Sequence, residues 1–188
     1  MLGHYKELGI EDTNLWYQPL NEHNNWSIFK AIDEFLECKD PETDLKSIDF
    51  CCGFTWPSIK AKADDLAQSK TTSCQILILA PWKWFEKWHK NGAFKSGDTK
   101  NVDEAYLKFK QLFIEKCIEK LYRFYPKCKH KIDFIDLSTP LSLEYYLQSD
   151  KGGAIGLDVT PNRFVNDKIL DLTDCDQNRV CKGLWLTG

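Results

Sequence analysis

The spacing of apolar and polar positions changes several times along the chain. Residues 14–18 (NLWYQ) form a short apolar run that predicts a brief strand. Over 26–38 the spacing lengthens. Trp26, Phe29, Ile32, Phe35 and Leu36 recur at helical intervals, with Asn25 as the expected cap. Asp40-Pro41 ends that helix, because the residue before proline avoids the helical region. Residues 47–54 (SIDFCCGF) alternate and predict a strand closed by Gly53. Trp56-Pro57 then opens a loop or short helical turn to about Ser69. Residues 71–80 (TTSCQILILA) hold the longest apolar run and predict a strand buried on both faces.

Pro81 stops that strand and suits the first turn of the next helix, a short aromatic one over 82–89 (WKWFEKWH). A polar stretch leads to the longest helix, expected from about Val102 to Tyr125, with Asn101 and Glu104 as a capping box. Its apolar stripe is Val102, Tyr106, Phe109, Phe113, Cys117 and Leu121, with Ala105, Leu112 and Phe124 beside it. Residues 131–137 (KIDFIDL) alternate like a strand. Thr139 caps a helix that starts at Pro140 and runs to about Leu147. A glycine-bearing loop covers 149–156, and 183–187 (GLWLT) is a last short strand. Strands and helices mix without a regular βαβ rhythm, so the fold class is α+β, one domain over 1–188.

Hydrophobic residues make up 43% of the 188, enough for a real core, which excludes a disordered or coiled-coil chain. The net charge of −3 leaves no basic face for nucleic acid. No apolar run approaches the length of a spanning helix, and residues 1–15 carry no secretory pattern. The eight cysteines show no zinc spacing and read as reduced core residues. No dinucleotide fingerprint, P-loop or nucleophile elbow occurs. The four histidines are scattered, and neighbouring acids such as Asp33 and Glu34 do not face each other on a helix. Aromatics reach 13%, and Trp82, Trp84, Phe85 and Trp88 cluster within seven positions. Such a cluster serves a packed core, an apolar ligand pocket or a membrane-facing patch.

The segment 136–164 (DLSTPLSLEYYLQSDKGGAIGLDVTPNRF), followed by 183–188 (GLWLTG), carries a resemblance. It is similar to the late part of the FAD-dependent oxidoreductases that comprise the retinol saturases, carotenoid isomerases and phytoene desaturases. The shared pattern is a Ser/Thr-Pro-Leu-Thr helix with a tyrosine pair, a Gly-x-x-Tyr-Gly loop, an Arg-Phe and a Gly-Leu-Tyr-Leu-Thr-Gly strand. Here these stand as 139–142, Tyr145-Tyr146, 153–156, Arg163-Phe164 and 183–188. Upstream, 84–88 (WFEKW) resembles the saturase Trp-Phe-Glu-x-Trp element, 54–58 (FTWPS) its Phe-Pro-Ser segment, and 109–125 the helix before the motif. The likeness covers nearly the whole chain and is nearest to the retinol saturases. Ile155 replaces the usual tyrosine, and Val159 stands where many members have histidine.

The resemblance implies the substrate-domain portion of a larger two-domain flavoenzyme, acting on C=C bonds of a retinoid- or carotenoid-like polyene. The flavin-binding Rossmann segment of the family has no counterpart in this sequence. Met1 is also the only methionine, and Gly188 directly follows an apolar strand, so both ends are expected to be truncated. By position in the pattern, Gly153, Gly156, Thr187 and Gly188 would lie towards FAD, while Tyr145, Tyr146, Trp84 and Trp88 would line the substrate. The glycines, Gly152 included, would let backbone pass close to a planar ring. The resemblance further implies NAD(P)H as electron source, peripheral membrane contact and an endoplasmic-reticulum location. The alternative is a stand-alone, non-catalytic module that binds an apolar isoprenoid.

Overall fold

The structure is a computed structural model, and it describes residues 1–60, 70–90, 103–154, 179–181 and 184–185. Strands β1 (Leu15–Tyr17), β2 (Cys52–Thr55) and β3 (Gln75–Ile78) form an antiparallel sheet in the order β1-β2-β3. Leu15 sits opposite Phe54, and Cys52 opposite Ile78. Side chains alternate across a sheet, so Cys52 and Phe54 enter the core while Gly53 faces outwards. Trp16, Gly53 and Leu77 form one outward row. Gly53 makes room there for the Trp16 ring, which a Cβ would displace.

The α+β class expected from the mixed pattern is what the chain adopts. Two strand expectations need correction. β3 is buried on one face only: its exposure alternates, and Leu77 and Leu79 are exposed. No described element covers the outer face of the sheet. Residues 131–137, expected as a strand, are extended but belong to no sheet, and Phe134 is 80% exposed. A strand needs a partner as well as an alternating pattern, and no described residue supplies one.

Helix α1 (Ile28–Leu36) starts later than its pattern suggested. Asn25 and Trp26 have φ of 51° and 56°, and the cap is Ser27, whose Oγ accepts from Lys30 N at 3.4 Å. Asn24 is buried in a turn in which its side chain donates to Pro19 O at 2.7 Å and exchanges bonds with Asn21. That turn holds the chain off the helix until Ser27. The helix therefore buries Ala31 and Phe35 and leaves Trp26 and Phe29 exposed. A short α2 (Pro41–Asp44) follows.

Residues 82–89 do not form one helix. A 3₁₀ turn (Trp82–Trp84) gives way to α3 (Glu86–Lys90). The long helix, α4 (Glu104–Phe124), packs under the sheet with Tyr106, Phe109, Phe113, Cys117, Lys120 and Leu121 buried. Its cap is Asp103, whose carboxylate accepts from Ala105 N at 2.7 Å; Asn101 lies outside the described residues. Helix α5 (Pro140–Leu147) follows the extended stretch. A hairpin of β4 (Arg179–Cys181) and β5 (Leu184–Trp185) lies near the end; β5 falls inside the expected last strand, and β4 was not foreseen.

Candidate functional site

Of the residues singled out from the sequence, Trp84 and Trp88 sit in one aromatic stack. Trp84 and Trp88 are 6% and 2% exposed. Trp84 stands edge-on to Phe35 with ring centres 5.2 Å apart, and Trp88 lies 5.3 Å from Phe109 and 5.4 Å from Tyr106. The 3₁₀-to-α transition accounts for this placement. It turns both indoles towards α4, where Tyr106, Phe109 and Phe113 recur at helical spacing. The Lys87 ammonium lies 4.2 Å from the Trp88 ring and pairs with Glu42 at 3.0 Å. A cavity of about 450 Å³ opens beside the two indoles, bordered by Glu37, Asp40, Lys83 and Lys87 among others. Trp84 Nε1 is buried and has no hydrogen-bond partner among the described residues.

Tyr106 joins this stack to the Thr139-Pro140-Leu141-Ser142 motif. Its hydroxyl lies 2.7 Å from Thr139 Oγ1 in a buried contact. Burial raises the Tyr106 pKa, and its bonds to Thr139 and Ser142 partly offset this, so the phenol stays neutral near pH 7. Thr139 Oγ1 accepts from Ser142 N at 3.4 Å, and Ser142 Oγ accepts from Thr139 N at 3.2 Å. This reciprocal box, with Pro140 at the first helical position, fixes where α5 begins. Farther along, His89 Nε2 lies 3.0 Å from Glu144, tying α3 to α5.

Tyr145 and Tyr146 lie on the last turn of α5, with ring centres 5.0 Å apart in an edge-on arrangement. Tyr145 is half-buried and Tyr146 is 69% exposed. Gln148 closes the helix in the left-handed region (φ 54°), and the chain turns back through Asp150–Gly152. Gly152 has φ 68°, and a Cβ there would fall on the Pro140 backbone. The close approach at Gly152 is thus to the chain's own first helical residue. Gly153 is exposed, and a Cβ there would meet only Asp150 O at 3.5 Å. Gly156, Thr187 and Gly188 lie outside the described residues. In the described part of the glycine loop the tight approach is therefore at Gly152, and Gly153 is left open.

A second cavity, about 520 Å³, is a slot between β3 and the extended stretch 132–137, floored by Ile114, Cys117, Ile118 and Leu121 of α4. Sequence reasoning missed it, because it arises from three segments distant in the chain. The only local signal was the alternation of 131–137. Its two thiols, Cys74 and Cys117, are each pushed up to about 12, chiefly by burial. They are neutral at pH 7 and are not poised as nucleophiles. Cys38, Cys51, Cys52, Cys74, Cys117 and Cys128 are free thiols. Among the described residues no group of His, Cys, Asp or Glu could hold a metal ion, and no helix is long and apolar enough to cross a membrane.

Against known proteins, the match spans the aromatic stack, the slot and the 139–146 motif together. The chain is 27% identical to all-trans-retinol 13,14-reductase of Danio rerio over 187 residues, which is 99% of this chain and 28% of that protein. The chain is a distant relative of the retinol saturases. The Homo sapiens all-trans-retinol 13,14-reductase is 26% identical over 106 residues, covering 56% of this chain and 16% of that protein. The Rattus norvegicus protein of the same name is 28% identical over 83 residues, covering 44% of this chain and 13% of its own length. The chain therefore spans little more than a quarter of the longest-matched retinol saturase. No family model matches the chain, and no solved structure matches it.

Proposed function

We propose that this chain is the substrate-domain portion of a retinol saturase-like, FAD-dependent oxidoreductase that saturates a C=C bond of a retinoid-like polyene. The observation that carries this reading is the similarity to a named retinol reductase along 99% of the chain, with no part of the described fold left over. In such an enzyme the flavin, reduced with NAD(P)H as the source of electrons, supplies the redox chemistry. The protein supplies orientation and exclusion of water. Tyr145, Tyr146, Trp84 and Trp88 are assigned to the substrate side; Gly153, Gly156, Thr187 and Gly188 are assigned to the flavin side. The substrate is lipid-soluble, which favours peripheral contact with a membrane such as the endoplasmic reticulum.

The test is a chimera. The matched segment of the Danio rerio retinol reductase is replaced by this chain, and the product is assayed for bound flavin and for reduction of all-trans-retinol. The expected result is a yellow protein that consumes retinol, while this chain alone purifies without flavin. A chimera that holds flavin and leaves both retinol and carotenoid polyenes unchanged would overturn the reading. So would stoichiometric FAD on the isolated chain.

A further inference from the structure

We infer that the slot between β3 and residues 132–137 is a receiving site for one β-strand, antiparallel to β3 and collinear with Met1–Gly3. The first three residues already occupy its end. Gly3 N donates to Lys70 O at 2.9 Å, Thr72 N to Met1 O at 3.0 Å, and the Met1 amine to Thr72 O at 3.0 Å. Leu2 sits opposite Thr71 in an antiparallel bridge. On its other side, Leu2 N donates to Lys131 O at 2.8 Å. A three-residue strand thus lies between the segment entering β3 and the start of the extended stretch, bonded to both.

Among the described residues, the two walls continue beyond it without a central strand. Hydrogen-bonding directions alternate along an antiparallel strand. Thr72 points its N–H and C=O at Met1, so Cys74 and Ile76 point theirs into the slot. Ser73, of opposite phase, turns its N–H away to Ser58 Oγ at 3.0 Å. On the far wall, no backbone group of residues 132–138 bonds to another described residue. Both walls start at Leu2, which is bridged to Thr71 and bonded to Lys131, and both line the slot, over 71–76 and 132–137. A strand entered from Met1 therefore continues the antiparallel pairing with 71–76 and lies beside 132–137. Its alternate side chains meet the apolar floor formed by Ile114, Cys117, Ile118 and Leu121.

The chemistry of the walls decides what fits. A polyene would cover the apolar floor but leave two rows of peptide groups dry and unpaired, which is costly. A peptide strand pairs both rows and fills the floor with every second residue. The strand is assigned to the part of a retinol saturase-like polypeptide that lies outside this chain; that source rests on the reading above, whereas the shape of the slot does not. Once filled, the sheet reads β1-β2-β3, added strand, 131–137, and the alternation of 131–137 acquires its partner.

The experiment places Val-Thr-Val-Thr-Val-Thr ahead of Met1 in the full chain and measures amide hydrogen exchange by NMR. Exchange at 133–137, Cys74 and Ile76 is expected to slow by at least about tenfold relative to the unextended chain. Ile135→Pro should abolish protection at 133–137 in the extended chain. It should leave the circular dichroism and melting of the unextended chain unaltered, because the Ile135 N–H bonds to nothing described. If the extension unfolds the chain, the same hexapeptide added in trans at millimolar concentration must protect those amides. The inference is overturned by unchanged exchange, or by protection that survives Ile135→Pro. It is also overturned if all-trans-retinol alone protects the walls, which makes the slot a lipid site, or if protection of the unextended chain grows with its own concentration, which makes the occupant a second copy. Failure of the chimera to reduce retinol leaves these outcomes untouched.

Discussion

Lys120 is a buried cation on the apolar face of α4, and the way it is paired predicts an asymmetry between two substitutions. Its side chain is 9% exposed and forms an ion pair with Asp49, which is 43% exposed. Its ammonium also lies 4.5 Å from the Tyr17 ring and 4.4 Å from the Phe50 ring. Asp49 has other support: the Tyr17 hydroxyl donates to it at 2.5 Å, and Arg123 lies 3.8 Å away. Removing one partner of a fully buried pair costs ~3–5 kcal/mol. Asp49→Asn leaves a buried ammonium held only by ring faces worth ~0.5–2 kcal/mol each, so its cost falls to about 2–3 kcal/mol. Lys120→Met leaves a carboxylate that still has Tyr17, Arg123 and water, and fills the same space with an apolar chain, so its cost is about 1 kcal/mol or less. The double variant should match Lys120→Met alone, giving a coupling of about 2 kcal/mol. Urea unfolding of the four proteins measures this. Equal costs for the two single variants, or additive costs in the double, would refute the reasoning. The pH dependence has a definite sign. Burial raises the Asp49 pKa, but its bonds to Lys120 and Tyr17 outweigh this and hold it below the ordinary value. A depressed carboxyl stabilises the fold above its unfolded pKa of ~3.9, and the contribution is lost as pH falls through the lower folded value. Asp49→Asn should remove that part of the acid limb.

Gly152→Ala combines a left-handed backbone with an overlap on Pro140; it should cost about 2 kcal/mol or more, read as a lowered melting temperature. Trp88→Ala should cost ~3–5 kcal/mol in urea, whereas Tyr146→Ala, at an exposed position, should stay within about 0.5 kcal/mol. In the retinol-reducing chimera the order should reverse, with Tyr146→Ala raising KM for retinol while the folded fraction stays constant. Cys38, Cys74 and Cys117 have thiols pushed up to about 12, with burial as the largest cause in each. At pH 8 they should react with a thiol-exchange reagent only when the chain unfolds, with native rates at least ~100-fold below denatured ones.

How far the fold was legible depended on how local each signal was. The α4 stripe from Tyr106 to Leu121 was readable because helical spacing and burial coincide within one element. The cap at Thr139 was readable because cap and proline are adjacent in the chain, whereas the reciprocal bond from Thr139 N to Ser142 Oγ emerged only in the structure. The start of α1 was not, since the Asn21–Asn24 turn competes with Asn25 for the same local hydrogen-bonding chemistry. Nothing in the sequence marked Lys120 as buried; its partner Asp49 is 71 positions away, and charge pairing at that distance leaves no periodic trace. The double burial expected for β3 failed because an apolar run reports composition, and only the tertiary arrangement decides which face is covered. Of the candidate site, the indoles and the tyrosine helix came from pattern and resemblance. The slot needed three chain segments brought together.

The two cavities make different demands on a hydrocarbon ligand, and this bears on which assigned residues it would meet first. Approach to Trp84 or Trp88 from outside runs through the cavity bordered by Glu37, Asp40, Lys83 and Lys87, where an apolar chain would dehydrate charged groups. The indoles themselves are closed in by Phe35, Phe109 and Tyr106. The tyrosine pair sits at the exposed end of a helix whose start is fixed by the Thr139–Ser142 box and whose far side is closed by Gly152 against Pro140. A rigid helix that presents a half-buried and an exposed aromatic ring offers apolar contact without stripping water from ions. The indole stack then holds that helix in register through Tyr106 and Thr139, 2.7 Å apart. If the chain serves a polyene as proposed, Trp84 and Trp88 would act on it through the position of α5, and Tyr145 and Tyr146 would act by touching it.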